Sequence, residues 1–252
     1  MHPHAKRRAT LRHQSIYLLP NSVTLAALFA GFYAIVQAMN HRFEYAAVAI
    51  FIAMVLDGID GRLARMTHTQ SAFGAEFDSL SDMVSFGVAP ALVSYEWMLR
   101  GLGKLGWIVA FIYCAGAALR LARFNTQLEV ADKRFFQGMP SPTAAALVAG
   151  FVWVSLDMAW DGPYMRWLTL GITAFAGLTM VSNVRYYSFK EINIRKTVPF
   201  FLLLPTLFVL VAIAASPPVA LFALFVAYAF SGYVIAAWAY LRRKPSVHTS
   251  QP

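Results

Sequence analysis

Five of the chain's 12 acidic residues, Asp57, Asp60, Glu76, Asp78 and Asp82, fall within 26 consecutive positions. The stretch runs Asp57-Gly58-Ile59-Asp60-Gly61-Arg62-Leu63-Ala64-Arg65, then Gly74-Ala75-Glu76-Phe77-Asp78-Ser79-Leu80-Ser81-Asp82. Asp57 and Asp60 are three apart and Asp78 and Asp82 four apart, so on helices each pair shares one face. A short link over 66–72 makes the two helices antiparallel neighbours, and four carboxylates then converge. Anions that close repel strongly where the dielectric is reduced, so they demand cations. Hard oxygen donors at this density suit Mg²⁺ or Mn²⁺, as one ion or two. Gly58, Gly61 and Gly74 carry no side chain and leave room beside the acids for a bulky ligand or a close helix approach. Taken singly, each Asp reads as a solvated helix end or a cap; at these spacings the set reads as a site. Intramembrane carboxylates also line cation paths, but a cation transporter leaves Arg62 and Arg65, beside the acids, without a purpose.

The elements that must hold this cluster are apolar helices. Of 252 residues, 59% are hydrophobic and 13% charged, with a mean hydropathy of +0.56. Soluble domains carry about 25% charge, so the composition excludes a water-soluble globule, a disordered chain and a nucleic-acid-binding arm. A bilayer core requires about 20 apolar residues per helix. On that criterion eight segments are predicted spans: 21–40, 44–62, 73–99, 105–124, 142–160, 165–182, 197–215 and 219–241. No small-residue cleavage site closes the first, which is therefore read as a retained helix. Residues 11–20 are expected along the interface, with Pro20 admitting the chain to the membrane. The single cysteine, Cys114, forms no internal disulfide.

The basic residues assign the sides. Lys6, Arg7, Arg8, Arg12, Arg62, Arg65, Arg120, Arg123, Lys133, Arg134, Arg185, Lys190, Arg195, Lys196, Arg242, Arg243 and Lys244 fall on one face of the eight-span arrangement. Only Arg42, Arg100, Lys104 and Arg166 fall on the other, a split of 17 to 4. By the positive-inside rule this predicts an even number of spans with both termini cytoplasmic, and it puts the acidic cluster at the cytoplasmic ends of spans two and three. The formal charge of +9 therefore reads as loop placement in a membrane.

The pattern Asp57-x2-Asp60-Gly61-x2-Ala64-Arg65-x8-Gly74-x3-Asp78-x3-Asp82 resembles, at all eight specified positions, the motif of the CDP-alcohol phosphotransferases. Leu19-Pro20-Asn21-Ser22-Val23-Thr24, Leu121-Ala122-Arg123-Phe124-Asn125, Phe136-Gln137-Gly138-Met139-Pro140-Ser141-Pro142 and Met180-Val181-Ser182-Asn183-Val184-Arg185-Tyr186 resemble segments of that family's membrane-embedded serine-using branch, the CDP-diacylglycerol–serine O-phosphatidyltransferases. The resemblance covers about residues 16 to 200, with Met139 where Leu is usual, a volume-conserving change. It implies an all-α integral membrane protein: a six-helix catalytic core over 21–182, preceded by a basic tail and interfacial segment over 1–20. A cytoplasmic link, two additional membrane helices and a basic tail follow over 183–252. It also implies a homodimer, and an active site at the cytoplasmic face of the membrane, the inner one in a bacterium.

The implied reaction moves the phosphatidyl group of CDP-diacylglycerol to the hydroxyl of L-serine and releases CMP. The resemblance assigns Asp57, Asp60, Asp78 and Asp82 to divalent metal, Mg²⁺ or Mn²⁺ and two ions, and Asp82 to general base. Asn21, Thr24, Asp57, Gly61, Ala64, Arg65 and Gly74 are the residues for the CDP donor. Serine is a zwitterion, so its carboxylate requires a cation: Arg120, Arg123 and Asn125, or Arg185 and Lys190, stand on the right face, where they also read as lipid-phosphate anchors. Glu76, Glu129 and Asp132 could face the ammonium and read first as solvated surface. Gly138 and Pro140 shape a loop, and His13 and His68 receive no role. Choline, glycerol 3-phosphate and an inositol phosphate are the alternative acceptors; the phosphorylated ones call for a denser cationic pocket.

Overall fold

The computed structural model describes residues 3–67, 71–127, 135–187 and 203–241. The described chain is all-α apart from one two-stranded ribbon. Its helices are α1 (Pro3–Met39), α2 (Phe43–Thr67), α3 (Ala72–Asp82), α4 (Ala89–Trp97), α5 (Lys104–Gln127), α6 (Ser141–Asp157), α7 (Tyr164–Val181), α8 (Leu203–Ala215) and α9 (Pro217–Leu241). Strands β1 (Phe135–Gln137) and β2 (Arg185–Tyr187) pair antiparallel with Phe136 opposite Tyr186. Each of the eight predicted apolar segments contains helix in its described part, but α-helices stop at Met39, Trp97, Asp157 and Val181, short of the predicted ends. Among the described residues, three helical segments are long and apolar enough to cross a membrane: Leu19–Met39, Lys104–Thr126 and Pro217–Trp238. Ser141–Asp157 and Leu204–Ala215 are apolar but shorter.

Two further boundaries differ from the sequence reading. The backbone does not break at Pro20: α1 runs through it as one helix from Pro3 to Met39. Proline removes one helical donor and leaves the carbonyl four residues earlier without its helical partner, a loss that apolar helices tolerate; one turn on, the Thr24 hydroxyl adds a bond to the Pro20 carbonyl at 3.1 Å. Helix α2 continues to Thr67, five residues past the expected end at 62, because Gly61-Arg62-Leu63-Ala64-Arg65 contains good helix formers and no breaker other than the glycine.

Segment 72–97 is one helical path with a π turn at Met83–Val88 between α3 and α4, in which the Ala89 N–H reaches back to the Val84 carbonyl. The cause is legible in the chemistry of Pro90. It has no N–H to give to Phe86 four residues earlier, and the Phe86 carbonyl instead accepts from the Tyr113 hydroxyl of α5 at 3.0 Å. Tyr113 is fully buried, so removing its hydroxyl would leave a buried acceptor unsatisfied, at about 1–3 kcal/mol. Ser81 and Ser85 donate to the Thr24 and Ala27 carbonyls of α1 at 3.3 and 3.2 Å, fixing the same path against the first helix.

Small residues set the packing. Ala30, Ala34 and Ala38 lie four apart on α1 and are buried with Ala46, Ala49, Ile50 and Ala53 of α2, so the two backbones approach closely. Helices α5 and α7 cross at glycine: a side chain at Gly177 would meet the Tyr113 Cα at 2.7 Å. A second core joins α5, α6, α7, the ribbon and α9 through Tyr113, Met139, Val148, Met180, Tyr186 and Ala229. These contacts bring the ends of α2, α3, α5 and α6 to one end of the bundle.

Candidate metal and nucleotide site

The site begins where α2 ends and α3 starts. Ser71 caps α3, its Oγ accepting from the Gly74 N–H at 3.0 Å, so the helix opens with Asp78 facing the last turns of α2. Asp57, Asp60 and Asp78 each present a carboxylate oxygen, and these three oxygens all lie within 4.8 Å of one another. Asp82, one turn beyond Asp78, is in side-chain hydrogen-bond contact with Asp57, and its other charged neighbours are Asp78 and Arg120. The structure thus brings the four predicted carboxylates together, with the closest group being the three at 57, 60 and 78.

Two unit charges 4 Å apart at an effective dielectric of 20 interact by about 4 kcal/mol, so a cluster of this kind favours a cation. Asp60 is 3% exposed. Its neighbours are the Thr24 side chain and the Gly61 N–H, while its Oδ2 is buried without a hydrogen-bond partner. An orphaned carboxylate oxygen inside a group of three is what a metal-ligand set looks like without its ion. The donor set, all carboxylate oxygen, fits Mg²⁺ or Mn²⁺.

Beside the carboxylates lies a cavity of about 250 Å³ walled by Pro20, Asn21, Thr24, Asp60, Gly61, Ala64, Arg65, Ser71, Gly74, Ala75 and Asp78. Six of the seven residues expected to hold the CDP donor line it; Asp57 stands behind, among the carboxylates. Gly74 is small for a reason visible here: a Cβ would come within 3.1 Å of Ser71 Oγ and 3.3 Å of Asn21 Oδ1. A Cβ at Gly61 would meet the Arg65 guanidinium no closer than 3.8 Å, and Gly61 is open to the cavity. A wall of small residues with one arginine and an adjacent acidic group has the shape and charge for a flat polar group carrying phosphates.

The acceptor-side residues separate. Arg120 donates to Ser141 Oγ at 2.6 Å, and the electrostatic neighbours of its guanidinium are Asp82, Tyr228 and Asp57. Arg123 has a buried Nη1 with no hydrogen-bond partner. Asn125 is exposed and donates to Ser79 Oγ at 3.0 Å, tying α5 to α3 next to the carboxylates. Arg185 is exposed on β2, paired through the backbone with Gln137. Lys190, Glu129, Asp132 and His68 lie outside the described residues, and Glu76 is exposed on α3.

The loop shaped by Gly138 and Pro140 joins the ribbon to α6. Gly138 has φ of +79°, a conformation glycine adopts without strain, and its N–H donates to the Val184 carbonyl at 2.8 Å. Met139 follows, fully buried, its N–H donating to Thr179, and delivers Ser141 to Arg120. Tyr186 on β2 is fully buried; burial raises its phenol above the usual range, so it stays neutral and donates to the Ala229 carbonyl of α9 at 2.8 Å. Sequence reasoning missed Ser71, Ser141 and Tyr228. Ser71, before an apolar helix, carried an N-cap signal. Ser141 and Tyr228 reach the site through contacts across long sequence separations that no local pattern announces.

Residues 17–182 match the protein family described as CDP-alcohol phosphatidyltransferase. Curated relatives agree. The chain is 39% identical over 178 residues to a CDP-diacylglycerol–serine O-phosphatidyltransferase of Helicobacter pylori strain J99, covering 71% of this chain and 75% of the relative. It is 30% identical over 248 residues to the one of Mycobacterium tuberculosis strain H37Rv, 96% of this chain and 86% of the relative. To that of Methanocaldococcus jannaschii it is 35% identical over 173 residues, 69% of this chain and 75% of the relative.

Proposed function

The chain belongs to the CDP-alcohol phosphatidyltransferase family, and we propose that it transfers the phosphatidyl group of CDP-diacylglycerol to L-serine, giving phosphatidylserine and CMP. The observation that carries the reading is the convergence of Asp57, Asp60 and Asp78 within 4.8 Å on the edge of a cavity walled by Asn21, Thr24, Gly61, Ala64, Arg65 and Gly74.

In this reading Asp57, Asp60, Asp78 and Asp82 hold divalent metal, Mg²⁺ or Mn²⁺, two ions in all. An ion held by these carboxylates would supply positive charge for the diphosphate. The cavity residues hold the cytidine and its phosphates, with Arg65 reaching the diphosphate. The serine hydroxyl oxygen attacks the phosphorus that bears diacylglycerol. The bond from that phosphorus to the CMP oxygen breaks, CMP leaves, and the hydroxyl proton passes to the Asp82 carboxylate. A general base in position contributes about 10²–10⁴ in rate. Asp82 is supported in that role by its place at the edge of the acidic cluster, with Asp57 and Arg120 beside it.

The serine carboxylate is held on the α5 side, by Arg120, Arg123 and Asn125, with Arg185 and Lys190 of the later basic link as the alternative cations. The orphaned Nη1 of Arg123 and the position of Arg120 next to Asp82 support this. The chain is a multi-pass membrane protein with both termini and the site at the cytoplasmic face, a catalytic core over 21–182 and two additional helices over 183–252, acting as a homodimer. The 17-to-4 division of basic residues supports the orientation, and the family match over 17–182 supports the core. Supplying purified protein with CDP-diacylglycerol, Mg²⁺ or Mn²⁺ and labelled serine, choline, glycerol 3-phosphate or inositol phosphate tests the acceptor. Phosphatidylserine is expected; turnover of another alcohol with none of serine overturns the assignment.

A further inference from the structure

Helix α9 lies outside the family-matched residues 17–182, yet it is wired to the acceptor side of the site. The link is a reciprocal pair of hydrogen bonds. Tyr228 of α9 donates its hydroxyl to the Tyr187 carbonyl of β2 at 3.1 Å, and Tyr186 of β2 donates to the Ala229 carbonyl of α9 at 2.8 Å. The two rings lie against each other at a tilt of 36°, with centroids 5.6 Å apart. Glycine at 232 makes the dock possible, since a Cβ there would come within 2.7 Å of the Tyr186 ring and 2.9 Å of Val184. One helical turn beyond Ala229, the Tyr233 hydroxyl is 2.7 Å from Thr179 Oγ1.

The dock continues inward. The ribbon leads through Gly138 and Met139 to Ser141, which accepts from Arg120, and Tyr228 is itself an electrostatic neighbour of that guanidinium, alongside Asp82 and Asp57. Arg120 therefore has its hydrogen-bond partner delivered by a ribbon that α9 holds, and a phenol of α9 within its field. We propose that Tyr228 is a positioning residue for acceptor binding: it fixes the ribbon and Arg120 in the arrangement that receives the acceptor, which makes α9 part of the acceptor site. This rests on the reading of Arg120 as an acceptor-side cation.

The test is steady-state kinetics of the full-length protein in detergent or liposomes, using whichever acceptor the wild type turns over. Tyr228→Phe keeps the ring and removes only the hydroxyl. Loss of one such bond corresponds to about a threefold to tenfold effect, and it is expected in the KM for the acceptor, with KM for CDP-diacylglycerol and Tm near wild type. Arg120→Lys should raise the same KM, and Tyr228→Phe in that background should add little more, because the two act on one contact. An unchanged acceptor KM in Tyr228→Phe, or equal changes in both KM values, overturns the proposal. If the wild type turns over an acceptor other than serine, the serine assignment fails and the same KM comparison, made with that acceptor, still decides the role of Tyr228.

Discussion

Asp60 of α2 and Asp78 of α3 stand 18 positions apart in the chain, yet each presents a carboxylate oxygen within 4.8 Å of the other's. Two anions that close destabilise the folded protein unless a cation lies between them, so the same pair that makes a metal site makes the metal-free protein less stable. Function and stability are opposed at these two residues.

Asp60→Asn and Asp78→Asn should therefore raise Tm in EDTA relative to wild type and lower turnover by about a hundredfold or more with metal. Mn²⁺ binding followed by electron paramagnetic resonance should weaken in both variants. A lower Tm in EDTA would show that the carboxylates are held by something other than mutual repulsion.

Adding Mg²⁺ or Mn²⁺ to metal-free wild type should raise Tm, by the linkage that any ligand of the native state exerts. The rise should be lost in Asp78→Asn. An equal rise in both proteins, read by thermal unfolding in detergent, would move the ion elsewhere.

Asp82→Asn is expected to keep the fold and part of the CDP-diacylglycerol binding, with Mn²⁺ held more weakly by Asp57, Asp60 and Asp78, while CMP release falls by about 10²–10⁴. Near-normal CMP release would remove Asp82 from the role of base.

Helix α7 offers a paired stability test. A Cβ at Gly171 would meet open space, whereas one at Gly177 would come within 2.7 Å of the Tyr113 Cα. Gly171→Ala should stabilise by up to about 1 kcal/mol through helix propensity. Gly177→Ala should destabilise by about 1–3 kcal/mol because α5 must move. Opposite signs in Tm are the expected result; equal signs would mean that α5 and α7 do not cross at Gly177.

The acidic quartet was legible because spacings of three and four place residues on one helix face, and most residues walling the cavity beside it were legible because they lie in segments that resemble those of the family. The helices were legible from their apolar runs. The π turn after Asp82 was not, since it follows from Pro90 withholding a donor and Tyr113, 27 residues from Phe86, supplying one. The continuity of α1 through Pro20 escaped a reading in which proline marks an entry point. Ser141 and Tyr228 were invisible for the same reason as Tyr113: their partners, Arg120 and Tyr187, lie far away in sequence.

The central claim is that the Asp57, Asp60 and Asp78 cluster supports transfer of a phosphatidyl group to serine. Its most direct test is serine-dependent release of CMP from CDP-diacylglycerol by wild type and Asp78→Asn, each with Mn²⁺ and with EDTA. The account predicts release by wild type with Mn²⁺ alone, and little in the other three reactions. Serine-dependent release that persists in EDTA, or in Asp78→Asn at the wild-type rate, would contradict it.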